Sequence, residues 1–171
     1  MRPAASALLA ALVAACAAVP KPLPVPVPRA VPGPRPAPVP PPADWRDAAQ
    51  SPGDWRWRVS GGNSSAVFGP GSAPLAMLTC EQPSRSVVLI RAGSGLAAQP
   101  VTVRTTFGQR SLTSAPAASK PGWIAVRLAP RDPLLDQIAF SRGRFTIEVA
   151  GQPTLYLPSW PELSRVIEDC R

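Results

Sequence analysis

Hydrophobic and polar residues run through three rhythms along this chain. Residues 4–15 are Ala, Leu and Val with a single serine, an unbroken apolar run. Residues 20–42 alternate proline with Val, Ala, Leu and three basic residues, Lys21, Arg29 and Arg35. From Asp54 onward the pattern becomes a two-residue alternation cut by glycine and proline turns, which marks half-buried strands. In 54–60 Trp55, Trp57 and Val59 share one face while Arg56, Arg58 and Ser60 share the other. Gly61-Gly62-Asn63 then reads as a turn. Further strands are expected at 65–68, 74–80, 86–91, 101–107, 110–113, 123–128, 144–149 and 154–157, with 114–122 as a loop. The stretch 74–91 reads as a hairpin about 81–85, and Val87 to Ile90 is a continuous apolar run suited to a central strand. Gly108-Gln109 is expected to turn 101–107 back into 110–113.

Two segments switch to helical spacing. Asp132 is placed to cap a short helix with Pro133 in its first turn, and Leu134, Leu135, Ile138 and Ala139 fall on one face. Near the end, Ser159 and Glu162 have capping-box spacing around Pro161, and Leu163, Val166, Ile167 and Cys170 recur at helical intervals. About eight short strands separated by frequent turns argue for a mainly β fold. The expectation is a small sandwich or barrel-like antiparallel sheet, with one short helix and a C-terminal helix over one face or end.

The first two rhythms are not domain. Residues 4–15 have the length of a signal h-region behind Met1 and Arg2, and are too short to span a bilayer. The run ends in Val13-Ala14-Ala15-Cys16. Small residues before a cysteine, with an aliphatic residue ahead of them, resemble the lipobox of bacterial lipoproteins. The resemblance implies lipidation of Cys16, which becomes the first residue after cleavage. With Ala17 rather than aspartate following, it also implies an outer-membrane lipoprotein facing the periplasm. A plain secretory leader cut after Ala17 or Ala18 is the alternative. The proline tract lacks the amide protons for helix or ladder, and polyproline II at about 3.1 Å per residue would reach roughly 75 Å. The chain thus divides into a signal peptide (1–15), an acylated cysteine with a proline-rich tether (16–43), and a β-rich globular domain (44–171). About 128 residues is enough for one domain and short for two.

Three cysteines in an exported chain leave one without a partner. If Cys16 carries lipid, Cys80 and Cys170 remain, both at apolar-phase positions. A bridge between them is expected in an oxidising compartment, with two buried free thiols as the alternative.

Composition then limits the chemistry. The formal charge is +8 with no histidine, so Ser-His and Cys-His nucleophiles and histidine metal sites are out. No Gly-rich phosphate loop is present, and no cofactor or metal is expected. The ten acidic residues are scattered. Asp132 and Asp136 lie four apart on the short helix, where the first has an ordinary role as cap. A basic excess favours anionic partners. In an envelope these are an acidic protein, peptidoglycan or anionic lipid, reached alongside the membrane that the Cys16 lipid enters, with no nucleic acid. The candidate anion-binding residues are Arg142 and Arg144, either side of a glycine turn, and Arg56 and Arg58 on the outer face of the tryptophan strand. The plainer reading is that these arginines form a solvated surface, with Arg142 and Arg144 paired to Asp132, Asp136 or Glu168. Arg165 and Arg171 stand near Glu168 and Asp169, which they would compensate. The leading expectation is a non-catalytic binding or structural domain. A small envelope hydrolase using carboxylates is the alternative.

The order DWRWRVS, LAMLTC and RVIEDC, a tryptophan strand followed by two cysteine-ending segments, is similar to the VasI family of type VI secretion-associated envelope proteins. That family commonly has arginine before the first cysteine, where this chain has Thr79. The resemblance implies a β-rich, disulfide-bonded, non-enzymatic accessory domain, with Cys80 and Cys170 as structural residues.

Overall fold

A computed structural model describes residues 44–94, 98–116 and 122–171. Cys16, the leader and the proline tract lie outside them. Nine strands and two helices form among the described residues, and the architecture is mainly β as expected. The strands are β1 (Asp54–Ser60), β2 (Asn63–Gly69), β3 (Ala76–Glu81), β4 (Ser86–Ala92), β5 (Gln99–Thr105), β6 (Gly108–Pro116), β7 (Trp123–Leu128), β8 (Arg144–Val149) and β9 (Leu155–Pro158). The helices are α1 (Pro133–Ala139) and α2 (Pro161–Asp169).

Every strand pair is antiparallel, in the order β1-β2-β3-β4-β7-β6-β5-β8-β9. The long strand β6 joins two sheets. Residues 108–114 pair with β5, while Ala115 and Pro116 pair with β7. This continuation makes 114–116 strand where a loop over 114–122 was expected, and 117–121 of that loop lie outside the described residues.

The sheet does not close into a barrel, yet its two ends meet. The Ser51 amide donates to the Tyr156 carbonyl at 3.0 Å, and the Tyr156 amide donates to Ser51 Oγ at 2.9 Å. One turn further along this seam, the buried Trp55 indole donates to the Pro158 carbonyl at 2.8 Å. Arg144 adds a bond from its guanidinium to the Ala48 carbonyl.

Local chemistry explains the turns. The β1–β2 hairpin has a two-residue loop, Gly61-Gly62, with φ of 57° and 79°, the doubly positive turn that glycine alone adopts freely. At its other end Gly53 and Gly69 approach so closely that a Cβ on Gly53 would overlap the Gly69 backbone. The β5–β6 reversal falls at Thr106-Phe107, two residues before the expected Gly108-Gln109. Thr105 and Gly108 are register partners, and Thr105 Oγ1 bonds both the Phe107 amide and the Gly108 carbonyl. A threonine side chain closes this turn, so the glycine starts the next strand instead of making the turn.

The inward faces of both sheets meet around Phe68, Leu78, Leu89, Val103, Ile124, Phe145, Ile147 and Leu157, all buried. Helix α2 covers β1, β2 and β3 and touches α1, burying Leu163, Val166, Ile167 and Cys170 as its spacing implies. Cys80 and Cys170 form a disulfide, with Cα atoms 5.4 Å apart. It closes a separation of 90 residues and ties α2 to β3.

Two expectations fail locally. Val59 shares the phase of Trp55 yet is 57% exposed, because the hairpin tip from residue 58 to 62 runs past the packed layers. The capping box does not form. Trp160, held extended at φ −100° and ψ 163°, is the N-cap of α2, and Ser159 Oγ and Glu162 Oε2 are buried without hydrogen bonds to the described residues. Pro161 is the cause, since a residue preceding proline is driven out of helical conformation. The helix therefore starts one residue later than the box requires. Helix α1 behaves as expected, with Asp132 Oδ1 accepting from the Leu134 amide at 2.9 Å.

Candidate functional site

The arginines singled out by sequence do not converge. Arg56 and Arg58 share the outer side of β1 and line a cleft of about 630 Å³ with Trp57, Val67, Gly71, Ser72 and Pro74. Arg56 is held there by the carbonyls of Gly69 at 3.3 Å and Gly71 at 2.6 Å, whereas the Arg58 side chain is exposed with no bond to the described residues. Arg142 and Arg144 line no part of that cleft. The Arg144 guanidinium is spent on the Ala48 carbonyl, and Arg142 is exposed with its backbone amide on Thr106 Oγ1 at 3.0 Å. Neither pairs with Asp132, Asp136 or Glu168. Asp132 instead meets Arg110 at 2.5 Å, and Asp136 meets Arg171 at 2.7 Å. Arg165 likewise does not serve Glu168 or Asp169. Its guanidinium lies 3.4 Å from the centre of the Trp57 ring, a cation–π contact. Trp57 in turn donates to Ser64 Oγ at 2.9 Å, and Ser64 donates to Asp169 at 2.5 Å, so the second tryptophan of the strand is a structural one.

The more informative cation is Arg91, which sequence reasoning passed over. In β4, Val87, Leu89 and Arg91 follow the two-residue period, and all three point inward. A charge in phase with two core positions was the available signal. Arg91 is 4% exposed. Its Nε donates to the Ala92 carbonyl, Nη1 to Ile147 and Nη2 to Pro153, each at 3.1 Å. No carboxylate among the described residues forms an ion pair with it. Burial pushes its guanidinium below the ordinary arginine range. Arginine starts so high that it stays charged in a protein.

Arg91 lines a cleft of about 630 Å³ beside the seam. One wall is the strap Gln50, Ser51 and Pro52, and the other runs from Gln152 to Tyr156. Leu75, Ala92, Gly93 and Ser94 also line it. Gly93 leaves room for the Gln152 amide, which a Cβ there would strike, and Gln152 Nε2 donates to the Ser94 carbonyl at 3.0 Å. The Ala92 amide is fixed on the Leu75 carbonyl at 2.8 Å. The cleft is thus built from hydrogen-bonded backbone, a mainly apolar lining surface and one buried charge. Its size falls in the range of small-molecule sites, about 300–1,000 Å³. Among the described residues, no three Cys, Asp or Glu side chains gather as a metal site would need.

No protein family, no curated protein and no solved structure matches this chain.

Proposed function

We propose that this chain is an outer-membrane lipoprotein of the cell envelope whose β-rich domain binds an anionic partner without catalysing a reaction. The observation that carries the binding part is Arg91, a cation buried beside a cleft with no carboxylate opposite among the described residues. Removing a guanidinium from water costs several kcal/mol, which polar contacts or a counter-ion must offset. The described residues supply three carbonyl dipoles and no negative charge; a bound anion supplies that charge. The Cys80–Cys170 bridge supports an oxidising compartment. It also leaves Cys16 as the odd sulfur, in agreement with the lipobox resemblance and with a lipid anchor on the periplasmic side. On this reading the proline-rich segment links the anchor to the domain, whose partner is an acidic envelope protein or peptidoglycan. A non-enzymatic accessory role in an envelope assembly is what the resemblance to the VasI family adds.

Intact-mass analysis of the protein purified from membranes, paired with crosslinking in envelopes, tests this reading. The expected product begins at Cys16, carries acyl chains and has one disulfide. It crosslinks to an acidic protein or to peptidoglycan. A full-length, lipid-free product with three reactive thiols would overturn the anchoring. Envelopes that yield no crosslinked partner would overturn the binding.

A further inference from the structure

We infer that the Arg91 cleft is a carboxylate pocket, taking a ligand of about di- or tripeptide size that carries one free carboxylate on an apolar body. The inference rests on the binding reading above and narrows it to a chemical class.

The donor count comes first. A guanidinium has five N–H groups in a planar fork. Arg91 places one from each of its three nitrogens on a protein carbonyl. One N–H on each terminal nitrogen remains without a protein acceptor among the described residues. Two remaining donors on one cation are the number that the two oxygens of a carboxylate can accept, and charge-assisted pairing of this kind is the strongest arginine makes. A brace between β4 and the β8–β9 side would not need a charge, because a neutral amide can donate to carbonyls without the cost of desolvating an ion.

Charge balance chooses among anions. A single buried cation neutralises a monoanion. A phosphate near its dianionic form would leave a net negative charge against Leu75, Pro52, Pro153 and Leu155, at a cost that apolar walls cannot offset. The same walls favour an apolar body behind the carboxylate. Gln50 and Thr154 line the cleft as well and offer polar groups to a peptide's amides. The carboxylate chemistry is shared by a peptide terminus and a short acyl chain, so the ligands tested must separate them.

The test is calorimetric titration of the full-length protein in detergent with three probes: N-acetyl-alanyl-leucine, its C-terminal amide, and octanoate. The free acid is expected to bind at least tenfold more tightly than the amide. Preference for the dipeptide over octanoate assigns a peptide source, and the reverse assigns an acyl source; either outcome supports a carboxylate pocket. Arg91→Met should abolish the preference for acid over amide, and Arg91→Lys should retain a weakened one. Should Arg91 variants fail to fold, Thr154→Trp adds bulk to the lining of the cleft and leaves Arg91 itself in place. It should abolish acid binding while leaving the melting temperature within a few degrees of wild type. Equal binding of acid and amide, no binding of either acid, or undiminished binding in a folded Thr154→Trp protein would each overturn the inference. Envelope crosslinking that persists despite such a result would leave the broader binding reading standing, which separates the two failures.

Discussion

Trp55 is buried with its ring centre 5.2 Å from that of Phe68, and its indole N–H reaches the Pro158 carbonyl at 2.8 Å. Area burial alone would be served by phenylalanine. The nitrogen adds a bond between the first and last strands of the sheet order. Trp55→Phe removes that donor and strands a carbonyl, so it should cost about 1–3 kcal/mol in urea unfolding. Two polar residues beside helix starts make a sharper contrast. Asp132 caps α1 and pairs with Arg110, so Asp132→Ala should lose about 1 kcal/mol. Ser159 has a buried hydroxyl with no partner, so Ser159→Ala should be neutral or gain up to about 1 kcal/mol. The same denaturation series checks both, and equal losses would contradict the assigned cap. Sequence made Asp132 legible because its role is local, acting through an amide two residues away. Arg91 was not legible as a site, because its partners at Ile147 and Pro153 lie more than fifty residues away.

At the scale of elements, alternation located β1, β7 and β8 to the residue, since each strand begins and ends at a local turn or cap. It misjudged the ends of β5 and β6, where a threonine side chain and the Thr106–Ser141–Arg142 hydrogen bonds fix the reversal. Those bonds come from a distant loop, and no local pattern encodes them. Proline overrode the capping box for the opposite reason: its steric rule acts on the neighbouring residue and takes precedence over spacing. The tight end of the β1–β2 hairpin gives a further test. Gly69 has φ of 154°, and a Cβ there would overlap the Ala73 carbonyl oxygen and press on Pro74. Those are backbone atoms that cannot swing aside. Gly69→Ala should destabilise the domain by roughly 2 kcal/mol or more, read as a lowered melting temperature.

For the whole molecule, the mainly β class was readable from periodicity, whereas the sharing of β6 between two sheets and the meeting of the sheet ends depend on three-dimensional closure. The disulfide is the strongest single constraint at this scale. Chain-entropy reasoning assigns about 4–5 kcal/mol to a loop of this length. That is a large part of the 5–15 kcal/mol typical of a domain. Replacing both Cys80 and Cys170 by alanine should lower the free energy of unfolding by about that amount, measured by chemical denaturation without reductant. A loss under 1 kcal/mol would mean that the core holds α2 in place unaided.

The seam has a consequence in time. Ser51 and Tyr156 bond each other across it and also face the Arg91 cleft. Few bonds hold this margin, so its two amide protons should trade with deuterated solvent sooner than those in the ladder between β3 and β4. A molecule lodged in the cleft would lean on both banks and slow that trade at Ser51 and Tyr156. The β3–β4 protons, already slow, would keep their own tempo, so the difference between the two clocks reports occupancy without any label on the visitor.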